Sequence, residues 1–273
     1  MNYYIDTEFL EGTQKYGQPW LNFWLGQKAK EKPTIDLISI GIVSEDGREY
    51  YAISKDFNLR EAWDRYEWYS TAYNKPARNK AEEDFKVYWI RENVLRSIWN
   101  ELCTFHINNA NHKHFGQPIT DTRILKFNYK NFKWLINKYG KTNQQIAEKV
   151  KEFISYPQDI EDSVAMLQKR SPIDKSPKFY GYFADYDWVA FCWLFGKMNN
   201  LPNGFPKYCR DLKQMFDEKV SVYEDRFMNG NEDFETRMSY VMNKDNYPKQ
   251  INEHNAIADA RWNKELHEFI KTL

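Results

Sequence analysis

The chain has 273 residues, of which 42% are hydrophobic and 17% aromatic, enough to build a sizeable buried core. Its 39 basic and 39 acidic residues cancel, so the overall charge does not by itself predict a polyanionic partner. The sequence has no apolar stretch long enough for a membrane span and no signal-peptide pattern, and its three widely spaced cysteines argue against a disulfide framework or a zinc site. These features favour a cytoplasmic protein with one domain and large insertions, or alternatively two small domains.

Three strands are predicted in the first part of the chain. Residues 3–6 form a short run of aromatic and β-branched side chains, and residues 36–44 form a nearly continuous apolar run, as in a buried strand. Turn residues at 45–47 precede a third strand at 49–53. Residues 37–53 are therefore predicted to form a β-hairpin.

Helices alternate with two further strands in the second part of the chain. The strands are predicted at residues 178–183 and 208–212, and the helices at 143–156, 188–195 and 256–273, with Gly196 ending the second helix. This order predicts an α/β fold in which helices flank a mixed five-stranded sheet. Two aromatic-rich segments, at about 12–32 and 57–140, fall outside this plan. They are predicted to be packed insertions, the larger one helical, within a single domain spanning residues 1–273.

An acidic pair ends the first predicted strand. Because alternate side chains of a strand share a face, Asp6 and Glu8 point the same way and Thr7 points back. Two adjacent carboxylates repel each other unless a cation lies between them, so the pair is suited to a hard metal ion. The alternative is an ordinary acidic strand end that faces solvent.

Asp187 follows the predicted strand at 178–183 and precedes the next helix. Ligands of open α/β folds bind at the carboxyl ends of the strands, which makes this aspartate a candidate for the same site. The alternative is that Asp187 caps the N-terminus of the helix.

The last predicted helix carries another candidate acid. Asp259 is three residues before Trp262 and is predicted to lie on the face that packs against the sheet, where an acid requires a partner or a cation. Asn255 is a candidate N-cap, which places His254 on the loop just above the helix. An imidazole there can accept a proton near neutral pH.

Together these residues resemble the DEDDh family of 3′→5′ exonucleases, which has a ribonuclease H-like fold. The matching positions are Asp6, Glu8, Asp187 and Asp259, with His254 five residues before the last of them. A histidine at that spacing resembles the DEDDh subclass, whereas the sister subclass has a tyrosine four residues before the aspartate.

Asp185 competes with Asp187 for the second-motif position. Asp187 is preferred, because the family's aspartate directly opens the helix and is followed by an apolar pair, here Ala190 and Phe191.

Several longer segments are similar to a bacterial and phage group of exoribonucleases related to ribonuclease T. The segments read DTEF, SIGIV, YYAIS, YDWVAF and HNAIADARW. The group includes proteins described as polyadenylate-specific 3′-exoribonucleases of a mycobacterial type. The resemblance covers roughly residues 1–53 and 143–273 and covers the larger insertion poorly.

The resemblance implies a two-metal mechanism. The four carboxylates would hold two Mg²⁺ or Mn²⁺ ions, and His254 would take a proton from the attacking water. Nucleoside 5′-monophosphates would leave one at a time from the 3′ end of single-stranded RNA. The alternatives are a DNA-directed 3′–5′ exonuclease and a catalytically silent module that binds nucleic acid. A homodimer is left open.

A basic stretch at residues 123–141 is a candidate for substrate binding. It has six basic and no acidic residues, interleaved with aromatics, which is typical of proteins that bind single-stranded nucleic acid. Lys126, Lys130 and Lys133 are the predicted phosphate contacts. The alternative is an amphipathic helix with a solvated lysine face. Phe9, directly after Glu8, is predicted either to pack against the terminal nucleotide or to belong to the core.

Overall fold

A computed structural model of the chain describes residues 1–16, 30–113, 126–167, 176–224 and 232–273. The chain divides into two compact units. The first unit consists of Met1–Glu8, Ser39–Ala52 and Asn143–Leu273, and the second of Phe9–Ile38 and Ile53–Thr142. Most of the smaller predicted insertion, at 17–29, lies outside the described residues.

Strands and helices of the described residues are numbered in chain order. The strands are β1 (Asn2–Tyr16), β2 (Lys30–Ser44), β3 (Glu49–Ile53), β4 (Glu67–Ser70), β5 (Lys75–Pro76), β6 (Phe85–Val87), β7 (Lys178–Gly181) and β8 (Arg210–Asp211). The α-helices are α1 (Leu59–Asp64), α2 (Arg96–Lys113), α3 (Tyr129–Tyr139), α4 (Asn143–Leu167), α5 (Asp185–Leu194), α6 (Leu212–Ser221), α7 (Phe234–Met242) and α8 (Ala256–Ile270). None of these helices combines the length and apolar character that a membrane crossing requires.

The larger sheet has five strands in the order β3-β2-β1-β7-β8. β7 pairs in parallel with β1 on one side and with β8 on the other, while β2 and β3 form the predicted hairpin. Helices flank this sheet, which confirms the predicted mixed α/β architecture with five strands. The strand predicted at 49–53 has the observed bounds of β3.

Side-chain alternation along β1 explains how both faces of the sheet are covered in the first unit. Tyr3 points to α4, where its hydroxyl donates to the carbonyl of Ile154 at 3.0 Å. Tyr4 points to the opposite face, and its hydroxyl lies 2.8 Å from Nδ1 of His267 on α8. The sheet is therefore packed between α4 on one face and α8 on the other.

Helix α8 lies unusually close to the sheet at its N-terminus. A Cβ atom on Gly41 of β2 would lie 2.2 Å from the carbonyl oxygen of Ala256, a distance that no side chain tolerates. Asn263 then fixes the helix to β1, because its Nδ2 donates to the carbonyl of Ile5 at 2.9 Å. Glycine at position 41 thus allows the first turn of α8, which carries Asp259, to pack directly against the strands.

The second unit is less helical than its sequence predicted. Besides α1, α2 and α3, the described residues form a small antiparallel sheet with the order β5-β4-β6. Its strands are two to four residues long, too short for alternation to reveal them. The prediction of a helical insertion at 57–140 is therefore incomplete.

Candidate active site

Three carboxylates converge at the point where β1 meets α8. Asp6 and Glu8 lie on one face of β1, as the alternation predicted, and Asp259 lies in the first turn of α8. Oxygen atoms of these three side chains all lie within 4.8 Å of one another, a spacing at which they could hold a metal ion. Residues far apart in sequence are thus brought into one acidic cluster.

Asp259 is buried and held by two donors. Its Oδ1 accepts a hydrogen bond from Nε2 of Gln250 at 2.6 Å, and its Oδ2 accepts one from the backbone amide of His254 at 2.9 Å. Asn255 caps α8, with its side chain accepting from the amide of Ala258 at 3.2 Å, as the sequence predicted. The cap and these two bonds fix the orientation of the Asp259 carboxylate.

Asp187 is hydrogen-bonded to Thr7, the residue between Asp6 and Glu8 in β1. Both the backbone amide and the hydroxyl of Thr7 donate to Oδ1 of Asp187, at 2.8 and 2.6 Å. Asp187 is buried, whereas Asp185 is exposed. The capping alternative for Asp187 is wrong, because α5 begins earlier than predicted, at Asp185, with Ala184 at the N-cap.

A sharp turn between β7 and α5 places Asp187. The strand ends at Gly181, two residues earlier than predicted, and Phe183 adopts a left-handed φ of 52°, which a bulky residue rarely does. Asp211 supports this turn: its Oδ2 accepts from the amide of Ala184 at 2.7 Å, and its Oδ1 caps α6 through the amide of Gln214 at 2.8 Å.

Three residues that support the cluster were not predicted from the sequence: Thr7, Asp211 and Gln250. Asp211 had a signal, since an aspartate followed three residues later by glutamine at a helix start is typical of a capping box. No local pattern marked Thr7 or Gln250. Thr7 binds Asp187, which is 180 residues away in sequence, and Gln250, which binds Asp259, lies in a loop.

The protonation of the cluster reflects burial and mutual repulsion. Burial raises the pKa of Glu8 to about 8, and the negative charges of Asp259 and Asp187 add to that effect. Burial likewise raises the pKa of Asp187 to about 7, against the opposing hydrogen bonds from Thr7. The pKa of Asp6 is raised well above its usual value by burial and by all three neighbouring acids. A bound divalent cation would remove this repulsion.

His254 lies on the turn directly before α8, as predicted, with a left-handed φ of 66°. Burial raises the pKa of Asp259, and the hydrogen bond from Gln250 and the nearby His254 both oppose that rise. His254 is partly exposed to solvent, and its backbone amide contacts Asp259.

The four predicted substrate-binding residues belong to the second unit. Lys126, Lys130 and Lys133 are exposed, while Phe9 is partly buried. Helix α3 is amphipathic, with Phe132, Leu135 and Ile136 buried on its other side. Phe127 and Phe132 of this stretch pack against Trp63, so these two rings contribute to a core. Residues 123–125 of the stretch lie outside the described residues.

A protein family and two relatives that are similar to this chain carry the name 3'-5' exoribonuclease. A family model described as the 3'-5' exoribonuclease Rv2179c-like domain matches residues 25–271, a range that includes Asp187, His254 and Asp259 and begins after Asp6 and Glu8. Two relatives from Mycobacterium tuberculosis are the 3'-5' exoribonuclease Rv2179c of strain H37Rv and the 3'-5' exoribonuclease MT2234.1 of strain CDC 1551. Each is 25% identical over 219 residues, covering 80% of this chain and 76% of the relative.

Proposed function

Because this chain belongs to the family of Rv2179c-like 3'-5' exoribonuclease domains, we propose that it removes nucleotides one at a time from the 3′ end of single-stranded RNA. The chain is a nuclease, a hydrolase of phosphodiester bonds, as its family and relatives indicate. The single observation that carries the proposed site is the convergence of Asp6, Glu8 and Asp259 within 4.8 Å.

The acidic cluster fits divalent metal ions. Asp6, Glu8, Asp187 and Asp259 would together hold two ions, and their hard oxygen ligands favour Mg²⁺ or Mn²⁺. Thr7 engages only Oδ1 of Asp187 in the described contacts, which leaves Oδ2 for a ligand. Bound there, the ions would lower the pKa of a water and stabilise the leaving oxygen.

Three residues of the chain have the remaining proposed roles, which are to accept a proton and to orient the carboxylates. His254 accepts the proton of the attacking water, and its backbone amide meanwhile holds Asp259 in place. Thr7 and Gln250 orient Asp187 and Asp259. The proposed products are nucleoside 5′-monophosphates.

This assignment places the chain in the DEDDh subgroup with a ribonuclease H-like fold, related to ribonuclease T. The order of the four acids along the chain and the histidine before the last of them support the subgroup. We infer a single exonuclease domain based on the first unit, with the two predicted insertions contributing to the second. We also propose a cytoplasmic location, which the small number and wide spacing of the cysteines support. A homodimer and a DNA substrate are left to experiment.

The four substrate-binding residues predicted from the sequence are part of the proposal. Lys126, Lys130 and Lys133 would contact phosphates of the bound strand, which their exposure permits. Phe9 follows Glu8 directly along β1 and would pack against the terminal nucleotide.

The test is a time course on RNA and DNA oligonucleotides of the same sequence, labelled at the 5′ end, with Mg²⁺, Mn²⁺ or EDTA. We expect a ladder that shortens by single nucleotides, requires metal, and is faster on RNA. Blocking the 3′ end should stop the reaction, whereas blocking the 5′ end should not. Internal cuts in a circular RNA would exclude an exonuclease, and faster digestion of DNA would exclude the RNA preference.

Asp187 and Asp185 provide a matched pair of variants for the site. Both lie in the first turn of α5, but only Asp187 is buried and bonded to Thr7. Asp187→Asn should lose nearly all hydrolysis while the protein stays folded, since asparagine can still accept from Thr7. Asp185→Asn should keep full activity. The reverse result would transfer the metal-binding role to Asp185.

A further inference from the structure

The small sheet of the second unit has one face composed of aromatic and basic side chains. Trp68 of β4 lies directly opposite Lys86 of β6. Tyr66 and Tyr88, each two residues away along the chain, share their face because strand side chains alternate. Ring contacts confirm this arrangement, with centroids 5.9 Å apart for Tyr66 and Trp68 and 5.7 Å apart for Tyr66 and Tyr88. We call Tyr66, Trp68, Lys86 and Tyr88 the aromatic face.

Cations lie over these rings. The Nζ of Lys86 is 3.9 Å from the centre of the Tyr66 ring and 5.2 Å from that of Trp68. The guanidinium of Arg91 is 3.8 Å from the centre of the Tyr88 ring, and Arg91 also pairs with Glu92. Among the described residues, no salt bridge to Lys86 is present, and its charge lies against the two rings.

The face is partly open to solvent, with Trp68 and Tyr88 half-buried. Tyr66 is 41% exposed, and Lys86 is exposed as well. Asp84, two residues before Lys86, is engaged elsewhere, because its Oδ2 accepts a hydrogen bond from the amide of Thr71 at 2.6 Å. The acidic residue of β4, Glu67, pairs with Val87 and belongs to the opposite face of the sheet, with Tyr69 and Phe85. An aromatic side chain that only filled a core would be covered, and a lysine that only served solubility would not need to lie over two rings.

Flat rings interleaved with cations match the chemistry of single-stranded nucleic acid, in which bases offer π faces and the backbone offers phosphates. We propose that the aromatic face is a second contact for single-stranded RNA, separate from the carboxylate cluster, at which bases stack on Tyr66 and Trp68 and Lys86 neutralises a phosphate. This inference rests on the proposed function for the identity of the strand. It goes beyond that function by assigning a role in substrate retention to the second unit.

The experiment compares two readouts for each variant. One is the binding of a labelled single-stranded 15-nucleotide RNA in EDTA, followed by fluorescence anisotropy at several salt concentrations. The other is kcat/KM, with metal, for that RNA and for a dinucleotide of the same 3′ sequence. The variants are Trp68→Ala, Trp68→Phe and Lys86→Gln. The matched control is Phe85→Ala, which removes a half-exposed ring from the opposite face of the same sheet.

We expect Trp68→Ala to weaken binding of the long RNA by about tenfold, as loss of one stacking platform does. Trp68→Phe should retain most of the binding, and Lys86→Gln should reduce the salt dependence by about one released counterion. Trp68→Ala and Lys86→Gln should each lower kcat/KM for the long RNA but not for the dinucleotide. Phe85→Ala should leave kcat/KM at the wild-type value for both substrates.

Other outcomes separate the two proposals. Unchanged binding and turnover in Trp68→Ala and Lys86→Gln would overturn the aromatic face as an RNA contact while leaving the exonuclease assignment intact. Equal losses for both substrates, or for Phe85→Ala as well, would show that the face only supports folding, and would overturn the proposal too. Should wild-type protein cleave neither substrate, the proposed function fails and the binding measurement alone still decides the role of the face.

Discussion

Thr7 lies between Asp6 and Glu8 in β1, but its side chain binds Asp187. Its hydroxyl and backbone amide both donate to one oxygen of Asp187, across 180 residues of sequence. Thr7 is itself buried, so water cannot replace it as a donor. It acts as a positioning residue that couples β1 to the first turn of α5.

Thr7→Val should therefore impair the site while preserving the shape of the side chain. A hydrogen bond to a charged group contributes about 1.5–3 kcal/mol, so kcat should fall by roughly 10- to 100-fold. The Mg²⁺ concentration needed for half-maximal activity should rise, because the Asp187 carboxylate loses its fixed orientation. Thr7→Ser should restore both values. A lower melting temperature with unchanged metal dependence would instead indicate a purely structural role.

His254 offers a second test at the scale of one residue. If it is the general base, its replacement should lower kcat by about 10²–10⁴-fold. His254→Asn is preferable to His254→Ala, because asparagine tolerates the left-handed backbone that His254 adopts. RNA binding should survive, as the bond from the backbone amide to Asp259 does not involve the side chain. An unchanged rate would show that no side-chain base is needed.

At the scale of elements, variants in and next to α3 test whether the basic stretch at residues 123–141 binds RNA. Its lysines are exposed while Phe132, Leu135 and Ile136 are buried, an arrangement that both RNA binding and simple solvation permit. Replacing Lys126, Lys130 and Lys133 together by glutamine should weaken binding of single-stranded RNA and flatten its salt dependence. Dinucleotide turnover should barely change.

The comparison for this triple variant is Lys151→Gln, which removes an exposed charge from α4 in the first unit. Equal loss of activity on long and short substrates would show that α3 has only a structural role.

At the scale of the whole molecule, the acidic cluster should make the metal-free protein less stable as pH rises. The folded pKa values of Glu8 and Asp187, about 8 and 7, exceed their ordinary values of about 4. The folded state thus binds protons that the unfolded chain has released. This contribution to stability is present in full below pH 4 and is lost as pH rises through 7 and 8.

The measurement is the melting temperature of EDTA-treated protein between pH 5 and 8. It should fall across this range, by about 2–4 °C for each kcal/mol lost. Asp187→Asn should flatten the fall, while Asp185→Asn should not, since Asp185 is exposed. Added Mg²⁺ or Mn²⁺ should raise the melting temperature most at pH 8. A melting temperature that rises from pH 5 to 8 without metal would contradict the raised pKa values.

Local patterns in the sequence determined much of the fold and the outline of the site. Continuous apolar runs and turn residues specified the β2–β3 hairpin, because strand formation and tight turns depend on neighbouring residues. Helical periodicity and the Asn255 cap specified α8 and placed Asp259 on its buried side. Asp6 and Glu8 were identified as a pair because strand alternation fixes their relative direction.

Only the tertiary structure decided which residues hold the carboxylates and how closely they converge. The bond between Thr7 and Asp187, the bond between Gln250 and Asp259, and the close approach of Ala256 to Gly41 join segments whose separation in sequence carries no periodic signal. The same holds for the pairing of Trp68 with Lys86, since strands of three or four residues are too short to show alternation. Local chemistry specifies elements, whereas a site built from several elements depends on packing distances that no local pattern encodes.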